Sequence, residues 1–105
     1  MMPSLKCDVT TCLHNADKYC CKNVILVEGS DAKKPENTCC SSFDEAKENR
    51  YKNEFESKNL ALSVDCEAVN CRYNQDKKCK AKHITISGGK AKEMEQTLCA
   101  TFEER

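Results

Sequence analysis

The chain has no tryptophan, and few of the side chains that ordinarily fill a protein interior. Leu, Ile, Val and Phe number 17 of 105 residues. That is about 16 %, below the roughly 20 % under which a chain struggles to build an apolar core. Charge of one sign is also missing, since 17 basic residues balance 17 acidic ones. Disordered chains combine low apolar content with high net charge, so the balance argues against disorder. It argues equally against a nucleic-acid partner, which calls for a basic excess. Long hydrophobic runs are absent. The opening Met1-Met2-Pro3-Ser4-Leu5-Lys6-Cys7 holds nothing like the apolar run of about 7–15 residues of a secretory signal. No stretch approaches the roughly 18 apolar residues of a membrane span. The expectation is a cytoplasmic chain with no membrane contact. No nucleophile–base–orienter set, phosphate loop or paired carboxylate is visible, so no enzyme activity is expected.

What the chain does have is cysteine, ten in all. In a reducing compartment clustered cysteines more often ligate metal than form lasting disulfides. They are arranged as a repeat. Shifted by 59 positions, Cys7, Cys12, Cys20 and Cys40 fall on Cys66, Cys71, Cys79 and Cys99 without a gap between residues 5–45 and 64–104. Of the 41 aligned pairs 15 are identical, among them Asn15/Asn74, Asp17/Asp76, Lys18/Lys77, Ile25/Ile84, Gly29/Gly88, Thr38/Thr97 and Phe43/Phe102. Each copy reads C-x4-C-x7-C-x19-C. The pattern divides the chain into a first four-cysteine unit (5–45), a connecting segment (46–63) and a second unit (64–104).

Val24-Ile25-Leu26-Val27 and His83-Ile84-Thr85-Ile86 are short and rich in β-branched residues, as strands are. Turn signals follow at Gly29-Ser30-Asp31 and Gly88-Gly89-Lys90. The chain then returns to Thr38-Cys39-Cys40 and Thr97-Leu98-Cys99, which predicts one β-hairpin per unit. Asn15–Lys18 and Asn74–Lys77 read as polar turns. Just before the connecting segment, Ser42 followed by Glu45 fits a capping box. Glu48–Lys52 and Glu54–Lys58 stand at favourable i,i+4 spacing, and Tyr51 and Phe55 share a face. These features predict a helix from about 43 to 58. The expected fold is therefore a small, metal-stapled α+β protein: two zinc-ribbon-like hairpin units joined by a charged helix.

Four thiolates around Zn²⁺ close a tetrahedron with no open position, so such a site staples and does not hydrolyse. A structural zinc site contributes an apparent ~10–16 kcal/mol, enough to stand in for a missing core. The expectation is two zinc ions per chain, one on Cys7, Cys12, Cys20 and Cys40 and one on Cys66, Cys71, Cys79 and Cys99. Iron or cadmium would suit the same thiolates. C-x4-C is at the loose edge of the usual knuckle, and two disulfides per unit or redox-active thiols are the alternatives. Lys18/Lys77 and Lys33/Lys92 are candidates to offset the charge of the cages.

Cys21 aligns with Lys80 and Cys39 with Leu98, so neither is expected to be a shared ligand. Cys39 reads as a small buried apolar group and Cys21 as exposed. A Cys21–Cys39 disulfide, or a second metal held through bridging thiolates, is the sharper reading of the pair. His14 aligns with Tyr73 and His83 with Val24, which makes both histidines poor ligands; His14 and Tyr73 are expected to cap the cages with a ring. Phe43 and Phe102 read as core plugs.

The strings Cys66–Cys71, Cys79–Ile86 and Thr97–Phe102, with Cys7–Cys12 and Thr38–Phe43, resemble the Domain of Unknown Function 1540 family. The resemblance covers both units and is closer in the second. The first departs from the family pattern at Cys21-Lys22 and at Ser42. It implies a small bacterial protein without an assigned activity, and it implies the same eight cysteines as ligands. The leading expectation is a non-enzymatic tandem zinc module that acts as a scaffold or binds a protein partner. A metallothionein-like metal store, which the two extra thiols favour slightly, and a thiol-redox protein centred on Cys21 are the alternatives.

Overall fold

The computed structural model describes residues 3–45 and 59–105. These residues form an all-β protein, with ten short strands and two single-turn 3-10 helices. In the first unit the strands are β1 (Ser4–Cys7), β2 (Asn15–Ala16), β3 (Tyr19–Cys20), β4 (Val24–Glu28) and β5 (Cys39–Cys40). In the second they are β6 (Ser63–Cys66), β7 (Asn74–Gln75), β8 (Lys78–Cys79), β9 (His83–Ser87) and β10 (Leu98–Cys99). The helical turns, Pro35–Asn37 and Met94–Gln96, immediately precede β5 and β10.

The central strands sit where the β-branched runs place them, and each alternates as a half-buried strand does. Ile25 and Val27 of β4 point inward, as do Ile84 and Ile86 of β9. β4 turns back antiparallel to β5, pairing Val27 with Cys40, and β9 does the same with β10, pairing Ile86 with Cys99.

The units are not self-contained. β1 lies parallel to β9 of the other unit, from Ser4 opposite His83 to Cys7 opposite Ile86. β6 lies parallel to β4 in the matching register, from Ser63 opposite Val24 to Cys66 opposite Val27. One sheet has the strand order β5-β4-β6-β8-β7. The other runs β1-β9-β10, and β2-β3 is tied to β1 through the Cys7 N–H, which donates to the Lys18 carbonyl at 2.7 Å. The same bond recurs from Cys66 to Lys77 at 2.7 Å. The repeat in sequence has become a pseudo-twofold in space, with each unit's first strand built into the other unit's sheet. The core follows from this exchange. Leu5, Val9, Ile25 and Val27 share one buried cluster with Leu62, Val64, Ile84, Ile86 and Phe102, completed by four alanines and the eight repeated cysteines.

This arrangement corrects the predicted α+β fold. The helix expected to begin near residue 43 does not do so. Ser42, its proposed cap, has its hydroxyl engaged as acceptor for the Leu26 N–H at 3.3 Å. The Asp44 carbonyl accepts from Leu13 at 2.6 Å, and Glu45 forms an isolated bridge with Cys12. Sheet contacts have claimed the groups a helix start would need, so tertiary pairing overrides local preference. Residues 46–58 of that predicted helix lie outside the described residues. Asn59 bridges Cys20 and Ala61 bridges Ser4, so the end of the connecting segment is also extended.

Two backbone features recur in both units. Asp17-Lys18 and Asp76-Lys77 all have positive φ, between 51° and 69°. This is the two-residue hairpin turn that normally calls for glycine. Gly29 and Gly88 leave the central strands with φ of 134° and 124°. A Cβ there would stand 2.8 Å from the Asn37 carbonyl oxygen and 2.6 Å from that of Gln96. Urea unfolding separates the two situations. Lys18→Gly or Lys77→Gly should raise stability by about 1 kcal/mol through relief of left-handed strain. Gly29→Ala or Gly88→Ala should lower it by more than about 1 kcal/mol.

Candidate metal centres

Three of the four repeated cysteines in each unit end a strand: Cys7, Cys20 and Cys40 close β1, β3 and β5, and Cys66, Cys79 and Cys99 close β6, β8 and β10. Cys12 and Cys71 sit in the loop between the first two strands of their units, where the Val9 and Ala68 carbonyls accept their N–H groups at 3.0 Å. All eight are at least nine-tenths buried. In each unit the four side chains line one cavity, of about 20 Å³ in the first and about 10 Å³ in the second. Such a space holds one ion or one water molecule and excludes an organic ligand. The structure thus brings together both predicted sets, Cys7, Cys12, Cys20 and Cys40, and Cys66, Cys71, Cys79 and Cys99. All ten cysteines stand as thiols, with no disulfide among them. Among the described residues, no three His, Cys, Asp or Glu side chains already converge in ligating geometry; the thiols surround the space without closing on a point.

The sulfurs are provided for as acceptors. The backbone N–H groups two residues further on favour the charged form of Cys7, Cys20 and Cys40: those of Val9, Lys22 and Ser42. The Lys22 bond measures 3.4 Å. The N–H groups of Ala68, Ala81 and Thr101 do the same for Cys66, Cys79 and Cys99, and the Phe102 N–H, which donates to the Cys99 carbonyl at 3.1 Å, adds to the effect at Cys99. Donors aimed at sulfur favour the charged thiolate. Burial acts the other way and prevails. It pushes the Cys20 thiol up to about 11, and those of Cys40 and Cys99 up to about 12. It raises Cys7, Cys66 and Cys79 as well. The other cysteines of the same cage add to this, since like charges that close repel. A cation in the cavity is the species that would reverse the balance, because coordinated thiols are deprotonated outright.

Asn15 and Asn74, read from the sequence as turn residues, are buried supports of the cages. Each side-chain amide donates to a cysteine carbonyl, Cys7 or Cys66, at 2.8 Å. Each also favours the charged form of that cysteine. The signal was their identity in both copies, which a solvated turn has no need to keep. His14 and Tyr73 line equivalent walls of the two cavities. Tyr73 is steadied by its hydroxyl bond to Glu103 at 3.3 Å and by the Arg72 guanidinium, 5.6 Å from its ring centre. Phe102 is buried against the second cavity, while Phe43 packs half-buried on the core. His83 lies away from both cages and pairs with the Ser4 hydroxyl at 3.1 Å.

The proposed charge-offsetting lysines, Lys18, Lys77, Lys33 and Lys92, are all exposed and line neither cavity; Lys18 and Lys77 meet the first cysteines only through their backbone carbonyls. Lys22, which the sequence reading passed over, lines the first cavity. Cys21 and Cys39 are both half-buried. Cys21 lies near Cys20, in an open groove of about 330 Å³ beside His14 and Lys22. Cys39 faces the charges of Glu28 and Glu95. The two are not joined.

A family model for Domain of Unknown Function (DUF1540) matches residues 5–43 and again 64–102. The chain belongs to this family. The two DUF1540 matches coincide with the two four-cysteine units, so each copy supplies one cage. No curated protein and no solved structure matches the chain. Among the described residues no helix is long and apolar enough to cross a membrane.

Thiol reactivity checks this geometry. In the metal-free, reduced protein at neutral pH, iodoacetamide should modify Cys21 and Cys39 first. The raised, buried thiols of Cys20, Cys40 and Cys99 should react at least about tenfold more slowly, following their small thiolate fraction. Uniform rates across those five positions in peptide maps would contradict the burial described.

Proposed function

We propose that this DUF1540 protein is a non-enzymatic zinc protein whose two four-thiolate sites hold its fold together, and that its role is that of a scaffold or protein-interaction module. One observation carries the reading: in each unit four buried thiols surround a space the size of a single ion, and backbone N–H groups favour the charged form of three of the four sulfurs. Those donors suit thiolate sulfur and help orient a metal ligand. A closed four-sulfur site leaves no position for a substrate, and the cavities leave no room for one. The same thiolates would also accept cadmium or iron; the zinc assignment rests on the closed tetrahedral site that four cysteines favour.

Support for a metal store is weaker. Such a protein clusters its thiols around several ions, whereas Cys39 is turned toward carboxylates and Cys21 lies in an open groove. A redox role would require a low-pKa exposed thiol, and burial holds six of the eight cage thiols on the other side of their ordinary value. A cytoplasmic setting, where thiols stay reduced, completes the proposal.

Elemental analysis of the purified, reduced protein should give two zinc ions per chain. A strong chelator should abolish the cooperative thermal transition, in line with the apparent ~10–16 kcal/mol of a structural zinc site. A melting curve unchanged by chelator and reductant together would overturn the proposal. So would a mass spectrum showing the cage cysteines paired in disulfides.

A further inference from the structure

Each cage depends on the other unit at both of its ends. The first ligand of cage one, Cys7, terminates the strand laid on β9, and the next N–H, of Asp8, donates to the Ile86 carbonyl at 2.8 Å. The first ligand of cage two, Cys66, terminates the strand laid on β4, and Glu67 donates to Val27 at 2.8 Å. The last ligands are crossed as well. The Cys40 N–H donates to the Thr97 hydroxyl oxygen at 2.8 Å, and the Cys99 N–H to that of Thr38 at 2.8 Å. Both threonines are buried. Each hydroxyl is fixed in turn by donating to its own unit's helical turn, Thr38 to Pro35 at 2.7 Å and Thr97 to Met94 at 2.6 Å. Val27 and Thr38 of unit one line cavity two, and Ile86 of unit two lines cavity one.

We infer that the two sites fill as a cooperative pair, in which an ion entering one cage organises strands that carry ligands of the other. This inference rests on the zinc reading proposed above. Two of the four ligands in each cage are positioned by the opposite unit, the first by a strand of its backbone and the last by a threonine hydroxyl. An ion that draws Cys66 and Cys99 together therefore also orders β4 and the Thr38–Cys40 segment, on which cage one depends. The second ion then meets a site whose ordering has already been supplied, which is positive coupling. Thr38 and Thr97 act as positioning residues in this scheme, since their hydroxyls bond the backbone of the last ligand and not a sulfur.

Native mass spectrometry of the full chain, reduced and stripped of metal and then titrated with Zn²⁺, reads the coupling directly. At half occupancy, independent equal sites leave about half of the chains with one ion. A coupling of the usual 5- to 150-fold lowers that share to about a third or less. A one-ion share of half or more overturns the inference while leaving two-zinc binding intact. Absence of any zinc mass gain rejects the zinc reading and the inference with it.

The crossed route is tested with Thr97→Val. The variant should weaken zinc at Cys7, Cys12, Cys20 and Cys40 by about tenfold, because the buried Cys40 N–H loses its acceptor. Protection of those cysteines from alkylation, mapped by peptide, reports that site separately from Cys66, Cys71, Cys79 and Cys99. Thr97→Ser, which keeps the hydroxyl, should restore both the affinity and the low one-ion share. Weakening confined to the second cage, or no restoration by serine in a folded variant, would overturn the assignment.

Discussion

Everything in this protein depends on four buried sulfurs sharing one ion-sized space, twice. A chain this poor in aliphatic and aromatic residues has little with which to build an interior, and the cysteines occupy positions where larger proteins place leucine or isoleucine. Buried thiols alone are a weak substitute. They contribute modest apolar surface, resist ionisation, and crowd one another's charge if any of them ionises. Those liabilities become strengths when a divalent cation joins them, because desolvation then strengthens the attraction between metal and thiolate. The backbone N–H groups that favour charge on six of the eight sulfurs, and the amides of Asn15 and Asn74 held on the carbonyls of Cys7 and Cys66, fit that purpose.

The pseudo-twofold adds a second constraint. With β1 paired to β9 and β6 to β4, neither unit owns a complete sheet. The two Thr–Cys bonds across the axis extend that dependence to the four-cysteine clusters themselves. The structure is therefore one interlocked body with two cages, in which the repeat has been used much as a dimer uses two identical chains. This explains why identities between the copies include residues with no side chain in a cavity. Gly29 and Gly88 let the chain turn tightly against the segments that carry Thr38 and Thr97. Those threonines in turn hold the opposite cage.

Much of this was legible in the sequence. The shift that superposes the eight cysteines identified both sets of cavity-lining residues, and β-branching located β4 and β9. Whether those strands pair within a unit or across units was not legible, since Ile25 and Val27 are satisfied equally by either neighbour and strand pairing is a non-local choice. The same ambiguity concealed Thr38 and Thr97, whose partners lie 61 and 57 positions from them in sequence. The helix start expected at residue 43 is lost for a related reason: Ser42 and Glu45 look free to cap when read locally, but the sheet has engaged them. Cys21, expected to be exposed, and Cys39, expected to be buried, are both half-buried, and neither lines a four-cysteine cavity.

X-ray absorption at the zinc edge of the purified protein tests the central claim most directly, because it reports the atoms bound to the metal rather than the consequences of binding. The account predicts a shell of four sulfurs at about 2.3 Å for both ions, with no nitrogen or oxygen. Fewer sulfurs, completed by nitrogen or oxygen, would contradict it.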